Sequence, residues 1–430
     1  MAYYHRFGHE SHVRGDVKHR IGGWLPRDPQ VLEKWLEKKI THVEHPTRRG
    51  QSLHPVIERF KLFIEREPTV YMGFSQMFEQ VPTKPPYNGD PTHKPQVRDF
   101  HLMLRLFNHI ICTAPDYEDN DLVGFPINAI LDWPMGTPAG LSMFSRPDVN
   151  EHFKNMFDVW AIFLTSPDSR YVLTDGPTGW FGGPASRALP NFVETYVCDP
   201  SAPYHGFKSW DDFFTRQFRP GVRPVQFPDD DSLITSACES AVYRIAHRVQ
   251  LLDEFWLKGH HYSLSNMLNY DDYAPQFADG TVYQAFLSAT KYHRWHAPVN
   301  GTVVRIVNVP GTYYAEAPSE GFPHPDPAGP NLSQTFITSM GARVIIFIQA
   351  RNPAVGLMAF VAVGMAEVST CEAIVQEGQQ VSKGEELGAF HFGGSTHCLV
   401  FRKETKILFS FDAKKEANVL LNAPIAKVLA

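Results

Sequence analysis

The chain is poor in cysteine, lacks any long unbroken apolar run and has no block of charge of one sign. Its five cysteines among 430 residues (Cys112, Cys198, Cys238, Cys371, Cys398) show no CxxC spacing. That argues against a cysteine zinc site or a secreted disulfide framework and fits free thiols in a reducing compartment, with Cys238 and Cys398 as small buried hydrophobes. The most apolar stretch, Ala342 to Val368, is interrupted by Arg351, Asn352 and Pro353, so neither half approaches the roughly 20 residues of a membrane-spanning helix. Forty basic against 46 acidic residues give a formal net charge of −6. The basic residues are scattered, which speaks against a nucleic-acid partner or a basic membrane patch. The opening Met1-Ala-Tyr-Tyr-His-Arg-Phe-Gly-His9 has neither the apolar centre of a signal peptide nor the arginine-rich amphipathicity of a transit peptide. A cytoplasmic protein with no integral membrane association is expected. No metal ligand is expected either. The acidic runs Asp116–Asp121 and Asp229–Asp231 lack EF-hand spacing, and the adjacent His260 and His261 have no cysteine or acidic partner close by.

What is present divides the chain in two. Up to about residue 170 the apolar residues keep helical spacing. Asp28-Pro29 reads as a cap followed by proline at the first helical position, with Val31, Leu32, Trp35, Leu36 and Ile40 on one face. Similar stripes follow Pro55, run from Val97 to Ile111 and run from Asn150 to Leu164, and they predict helix-bundle core. From about Leu233 the pattern turns to strands: Leu233–Ser236, Val242–Ile245, Gly301–Val307, Val344–Ile348 and Leu357–Val363. Leu399–Phe401 and Ile407–Phe409 read as strands of one sheet. Gly378, Val381, Gly384, Leu387 and Phe390 recur every three residues, a turn-strand texture of barrel-sandwich type, without the Met-Lys-Met setting of a carrier domain. The expected fold is α+β: a helical region over residues 1–200, then a mostly antiparallel β region over 201–430 with barrel-sandwich character.

Near the C-terminus stands Phe390-His-Phe-Gly-Gly-Ser-Thr-His397. Neither glycine carries a Cβ, so the carbonyl of Gly394 is uncrowded and the hydroxyl of Ser395 can attack it. The acyl group then moves from nitrogen to oxygen. Elimination of the ester leaves dehydroalanine at 395, which hydrolyses to a pyruvoyl group and ammonia. A pyruvoyl ketone condenses with an amine and accepts electrons as CO2 leaves, the work otherwise done by pyridoxal phosphate. Glycine-rich turns with serine are common, and this run alone does not separate a cleavage site from a loop.

A second segment, Lys291-Tyr-His-Arg-Trp-His-Ala-Pro-Val-Asn-Gly301, places His293 and His296 three residues apart before a strand. Taken together, the two segments resemble the phosphatidylserine decarboxylase family of pyruvoyl enzymes. Ser209-Trp-Asp-Asp-Phe-Phe-Thr-Arg216, Arg219-Pro-Gly-Val-Arg-Pro224, Lys258-Gly-His-His-Tyr-Ser-Leu264, Val309-Pro-Gly-Thr312 and Gly384-Glu-Glu-Leu-Gly388 fit the family in order. The resemblance spans roughly residues 205 to 430. Where the family carries Ser-x-x-Asp-Gly, this chain has Ser236-Ala-Cys-Glu-Ser240. That variant is similar to a soluble fungal branch that includes tryptophan decarboxylases and carries a long N-terminal extension.

The resemblance implies that Ser395 is the pyruvoyl precursor, that cleavage at Gly394/Ser395 gives chains 1–394 and 395–430, and that His296 is the base and later proton donor. Glu239 is the orienting carboxylate in that scheme, as in serine-protease triads. His293 is assigned to the substrate carboxylate or to protonation, and His397 to the pocket. The cofactor is the self-made pyruvoyl group, with no pyridoxal phosphate. The implied reaction is decarboxylation of a free, aromatic L-amino acid, L-tryptophan to tryptamine. Two alternatives stay open: a soluble or peripheral phosphatidylserine decarboxylase, and a poorly processed, non-enzymatic binding homologue. Ser395→Ala is expected to leave one uncut, inactive chain on a denaturing gel, and visible cleavage in that variant would remove Ser395 from the scheme.

Overall fold

The computed structural model describes residues 29–81, 97–118, 125–253, 262–288, 290–314, 316, 333–365, 367, 370–393, 395–410 and 418–429. The N-terminal segment, His260 and His261, most of the Pro318–Ser333 loop, the end of the Asp116–Asp121 run and Gly394 lie outside the described residues.

The helical region is built from α1 (Pro29–Glu44), α2 (Pro55–Arg66), α3 (Pro68–Glu79), α4 (Phe100–Ile110), α5 (Pro126–Met135), α6 (Pro138–Phe144) and α7 (Pro147–Leu164). Shorter helices α8 (Gly183–Ala188), α9 (Phe192–Thr195) and α10 (Trp210–Phe214) lead to the strands. Six of the first seven open on proline, where a missing N–H costs nothing and a fixed φ favours the first turn. The exception, α4, is capped by Asp99, whose carboxylate accepts the Leu102 N–H at 2.8 Å. The four helices expected from apolar stripes are α1, α2, α4 and α7. Periodicity did not reveal α3, α5 and α6: α3 exposes the large apolar side chains of Tyr71 and Met72, which blur its polar face, and most described residues of α5 and α6 are buried.

The first seven strands are β1 (Leu233–Thr235), β2 (Ser240–Val249), β3 (Gly280–Leu287), β4 (Arg294–His296), β5 (Gly301–Val309), β6 (Arg343–Ala350) and β7 (Leu357–Gly364). The rest are β8 (Thr370–Ala373), β9 (Gln380–Val381), β10 (Glu386–His391), β11 (Ser395–Phe401), β12 (Ile407–Phe409), β13 (Asn418–Val419) and β14 (Pro424–Val428). Short helices α11 (Leu264–Met267) and α12 (Gln334–Met340) lie between strands. Among the described residues the strands form one open eight-stranded sheet, β13-β2-β3-β11-β7-β6-β5-β9, and two three-stranded sheets, β4-β10-β8 and β1-β14-β12. All recorded pairings are antiparallel. The fold is α+β as expected, and the large sheet does not close into a barrel. One detail differs: β11 and β12 do not share a sheet. The turn after Phe401 turns the chain away, and β12 pairs with β14 instead.

Alternation along β11 decides what faces the site. Ser395, His397 and Leu399 share one face, opposite Gly364, Ala362 and Phe360 of β7. On that face Phe360 stacks on Trp295 of β4 at 5.2 Å, and Trp295 meets Phe390 of β10 at 5.6 Å. The β4-β10-β8 sheet therefore covers this face. The other face carries Thr396, bonded to Gln284 at 3.0 Å, and Gln284 reaches the backbone of α12 at 3.3 Å.

The helical region packs into the same core. Tyr314 contacts Phe144, Phe153 and Phe157 at 6.1, 5.0 and 6.1 Å, and the side chain of Asn150 accepts the Tyr313 N–H at 2.9 Å. Phe153 is fully buried and also touches Phe60 at 5.2 Å. Phe153→Ala is expected to cost about 3–5 kcal/mol, measured as a shift in the urea midpoint, with helices and sheets losing structure in one transition. Two separated transitions in that variant would show that the regions fold independently.

Candidate active site

Ser395 opens β11, between β3 and β7 in the large sheet, opposite Leu287 on one side and Gly364 on the other. Gly364 places no side chain beside it. Ser395 is fully buried, and its hydroxyl has no hydrogen-bond partner among the described residues. A buried hydroxyl left unpaired is unfavourable by about 1–3 kcal/mol. The preceding turn bends sharply: Phe392 is left-handed at φ 61° and Gly393 sits at φ 141°, which only glycine adopts readily. This turn carries the chain from the small sheet, through β10, to the large one, through β11.

The two histidines of the Lys291–Gly301 block take different positions. The carbonyl of His293 accepts the Phe390 N–H at 2.8 Å, which ties it to the strand leading into the turn. Its ring is fully buried, stacks on Phe214 at 4.0 Å and has neither nitrogen paired among the described residues. Burial, reinforced by the charge of Arg216, holds His293 well below the usual histidine range. His296 lies next to Trp295 and so points to the opposite side of β4. There its Nδ1–H donates to the Gly384 carbonyl at 2.8 Å, and Nε2 meets the Tyr292 hydroxyl at 3.0 Å. A carbonyl only accepts, so the neutral ring carries its proton on Nδ1 and a lone pair on Nε2. Burial lowers the His296 pKa, opposed by the Gly384 bond and the Glu386 charge. His397 shares the Ser395 face, is fully buried beside Phe360 and Tyr283, and is pushed down to about 3 by burial.

Glu239 does not orient His296 through a hydrogen bond. Arg223 holds both of its oxygens, at 2.8 and 2.6 Å, and the Leu421 N–H adds a third bond at 3.1 Å. The Ala237–Glu239 turn still adjoins His296, whose backbone N–H donates to the Ala237 carbonyl at 2.9 Å. The tautomer-fixing role expected of Glu239 belongs to the Gly384 carbonyl. Its glycine lies in a block singled out from sequence, but a backbone acceptor leaves no side-chain signature.

The other blocks lock this arrangement together. Arg216 donates to the carbonyls of Thr290 and Lys291 at 2.7 and 3.1 Å, and Arg294 to that of Thr215 at 2.6 Å. His391, just before the turn, is gripped by Asp211 at Nδ1 (3.0 Å) and Glu372 at Nε2 (3.0 Å). Burial pulls the His391 pKa down, but the Asp211 and Glu372 bonds and charges outweigh it and raise it. Sequence reading missed His391, Asp211 and Arg223 as partners because each pair joins residues far apart in the chain. Among the described residues no three His, Cys, Asp or Glu side chains group to hold a metal ion, and no helix is long and apolar enough to cross a membrane.

Comparison with known proteins identifies the family. Two family models, both described as phosphatidylserine decarboxylase, match residues 54–189 and 210–427. The chain belongs to the phosphatidylserine decarboxylase family. Members of this family are pyruvoyl-dependent carboxy-lyases, which implies a pyruvoyl group here. Among its relatives is the "L-tryptophan decarboxylase" of Psilocybe cubensis, 41% identical over 406 residues, 89% of each chain. That of Psilocybe cyanescens is 41% identical over 428 residues, 94% of each. The "Decarboxylase iboD" of Amanita muscaria is 46% identical over 320 residues, 71% of this chain and 91% of its own. In this family member the Arg223–Glu239 pair is structural: Arg223→Ala strands a largely buried carboxylate and is expected to cost about 2–4 kcal/mol. Removing both partners should cost less than the sum of the single changes in a urea double-mutant cycle, and strict additivity would show that the pair has no coupling.

Proposed function

We propose that this chain is a pyruvoyl-dependent decarboxylase of a free aromatic L-amino acid, L-tryptophan to tryptamine first among candidates, which makes its own cofactor by cleavage before Ser395. The observation that carries the proposal is the unpaired, buried hydroxyl of Ser395 at the end of a glycine turn between two sheets. The naming of relatives that match the chain nearly end to end supports the amino-acid substrate. The reading places the enzyme in the cytoplasm. The family's own description keeps phosphatidylserine as the second substrate to test.

Ser395 attacks the carbonyl before it, the C–N bond breaks and an ester forms. His296 is the base for the serine proton, through the Nε2 lone pair that the Gly384 bond creates. In the resting chain that lone pair is engaged by Tyr292 and the ring lies on the side of β4 opposite Trp295, which packs on the Ser395 face, so His296 acts only after the ring leaves Tyr292 and turns toward Ser395. Glu239 serves by bracing the turn beside His296. Residue 395, once a ketone, supplies the electron sink for CO2 loss. His397, on the Ser395 face, and His293, whose carbonyl holds the Phe390 N–H, are both held neutral and provide no cation. A carboxylate there lacks a fixed counter-ion, which favours its departure as neutral CO2, and His293 keeps a ring N–H as a proton donor.

Denatured intact mass is the test. Two fragments are expected, 1–394 and the 36-residue 395–430, the smaller lighter than its unmodified form by one ammonia, with activity on an aromatic amino acid and no co-sedimentation with liposomes. A single uncut mass favours the binding-homologue reading, and turnover only on liposomes favours phosphatidylserine. His296→Ala is expected to stay uncut, and normal processing there would reduce His296 to a structural residue.

A further inference from the structure

Two connections join the small and large sheets at neighbouring strand ends. His391 pairs with Thr370 at the end of the small sheet, and Ser395 pairs with Gly364 at the start of the large one. Residues 392–394 join one pair of strand ends and residues 365–369 join the other, in opposite directions. Glu367 belongs to the second connection, and the turn that precedes Ser395 belongs to the first.

Glu367 is only 2% exposed. One oxygen, Oε1, accepts the backbone N–H groups of Ile127 and of Asn128, the latter at 2.9 Å, at the N-terminus of α5. The other, Oε2, has no partner among the described residues. Nearby, the side-chain amide of Asn128 and the hydroxyl of Tyr314 are also buried and unpartnered among the described residues. Groups of this kind are normally satisfied by something, and here three occur around one carboxyl, in a connection between the same two sheets that the turn before Ser395 joins. The nearby histidines are neutral, and His391 already holds two carboxylates. An amino acid reaches this site with its amine protonated, and that amine must lose a proton before it can attack a ketone.

We propose that Glu367 receives the ammonium group of the incoming amino acid beside residue 395 and accepts the proton that group must lose. The N–H bond breaks toward Oε2, leaving a neutral amine with its lone pair and a neutral carboxylic acid. Asn128 and Tyr314 complete the hydrogen bonding around that pair. The inference rests on the amino-acid decarboxylase reading for its substrate. Burial raises the Glu367 carboxyl to about 8, against the Asn128 and Ile127 bonds that lower it, which suits a group exchanging protons near neutral pH. The groups facing it are the α5 amides, the Asn128 amide and the Tyr314 hydroxyl, and burial keeps that hydroxyl neutral.

The test titrates tryptamine into the full-length Ser395→Ala chain by calorimetry, in two buffers of different ionisation enthalpy. With Glu367 present, binding is expected to release about one proton per amine near pH 7, because the acid or the ammonium must give one up. Glu367→Gln keeps both backbone bonds and is expected to weaken binding by about 10- to 100-fold and to abolish proton release. Glu367→Asp, a second variant that keeps the acid, is expected to retain proton release with weaker binding. In processed enzyme, kcat/KM should rise with pH as Glu367 loses its proton, and Glu367→Gln should flatten that limb. Equal affinity and equal proton release with and without Glu367, or an unchanged pH limb, would overturn the proposal. Normal amine binding by a processed enzyme that decarboxylates no aromatic amino acid upholds the ammonium site while defeating the substrate reading.

Discussion

The pairing of β11 between β3 and β7 is the constraint on which the rest of this structure depends. Seven consecutive residues, Ser395 to Phe401, are matched on both sides. A strand so held keeps its place whether or not a covalent bond precedes it, since its ladder and its buried faces are independent of the turn before it. A strand with little freedom thus follows closely on a turn of unusual backbone, Phe392 and Gly393. The proposed cut before Ser395 would leave the strand in place, with the new terminus against Gly364 and Leu287. Cleavage within β11 would instead break a central ladder.

The same burial that fixes the strand sets the electrostatics. Desolvation dominates the titration of the buried groups here, so His293 and His397 are held low and the Glu367 carboxyl is held high. The charged groups sit at the edges of this region in compensated pairs: Arg223 with Glu239, Arg294 with Glu386, His391 with Asp211 and Glu372. Each pair ties a strand of the small sheet, or the turn beside it, to another element. Charge holds the walls while the interior stays uncharged, which fits a reaction whose decisive step turns a carboxylate into a neutral gas.

Local chemistry was legible in the sequence, and long-range pairing was not. Pro55 and the Asn150–Leu164 stripe marked helices because caps and amphipathic faces are short-range signals. Val344–Ile348 and Leu357–Val363 marked strands because buried central strands are continuous apolar runs. The blocks around Ser395, His293 and His296 were legible as chemistry, and the structure brings the backbone of His293 to the strand before Ser395. Glu239 shows where this reading stops. A carboxylate near a histidine in motif order suggested a triad, but Arg223 from another block competes for it with two bonds of charge-assisted geometry. Gly384 shows the converse, a backbone carbonyl doing what a side chain was expected to do.

Glu367 changes how the helical region is understood. From sequence it reads as an extension that could wall the pocket off from lipid, a passive role. In the structure the first amides of α5 bind the carboxyl of Glu367, in the connection between β7 and β8. A buried carboxyl in an apolar core is unfavourable without such partners, so the acid keeps its position only because α5 is there. Tyr314, which faces Glu367, is in turn packed on Phe144, Phe153 and Phe157 from α6 and α7. The helices therefore bind and bury Glu367, and a β region without them would leave it with neither its amide partners nor its dry surroundings. That dependence gives a physical reason why the relatives named as tryptophan decarboxylases match the helical region together with the strands, over 89% and 94% of the chain.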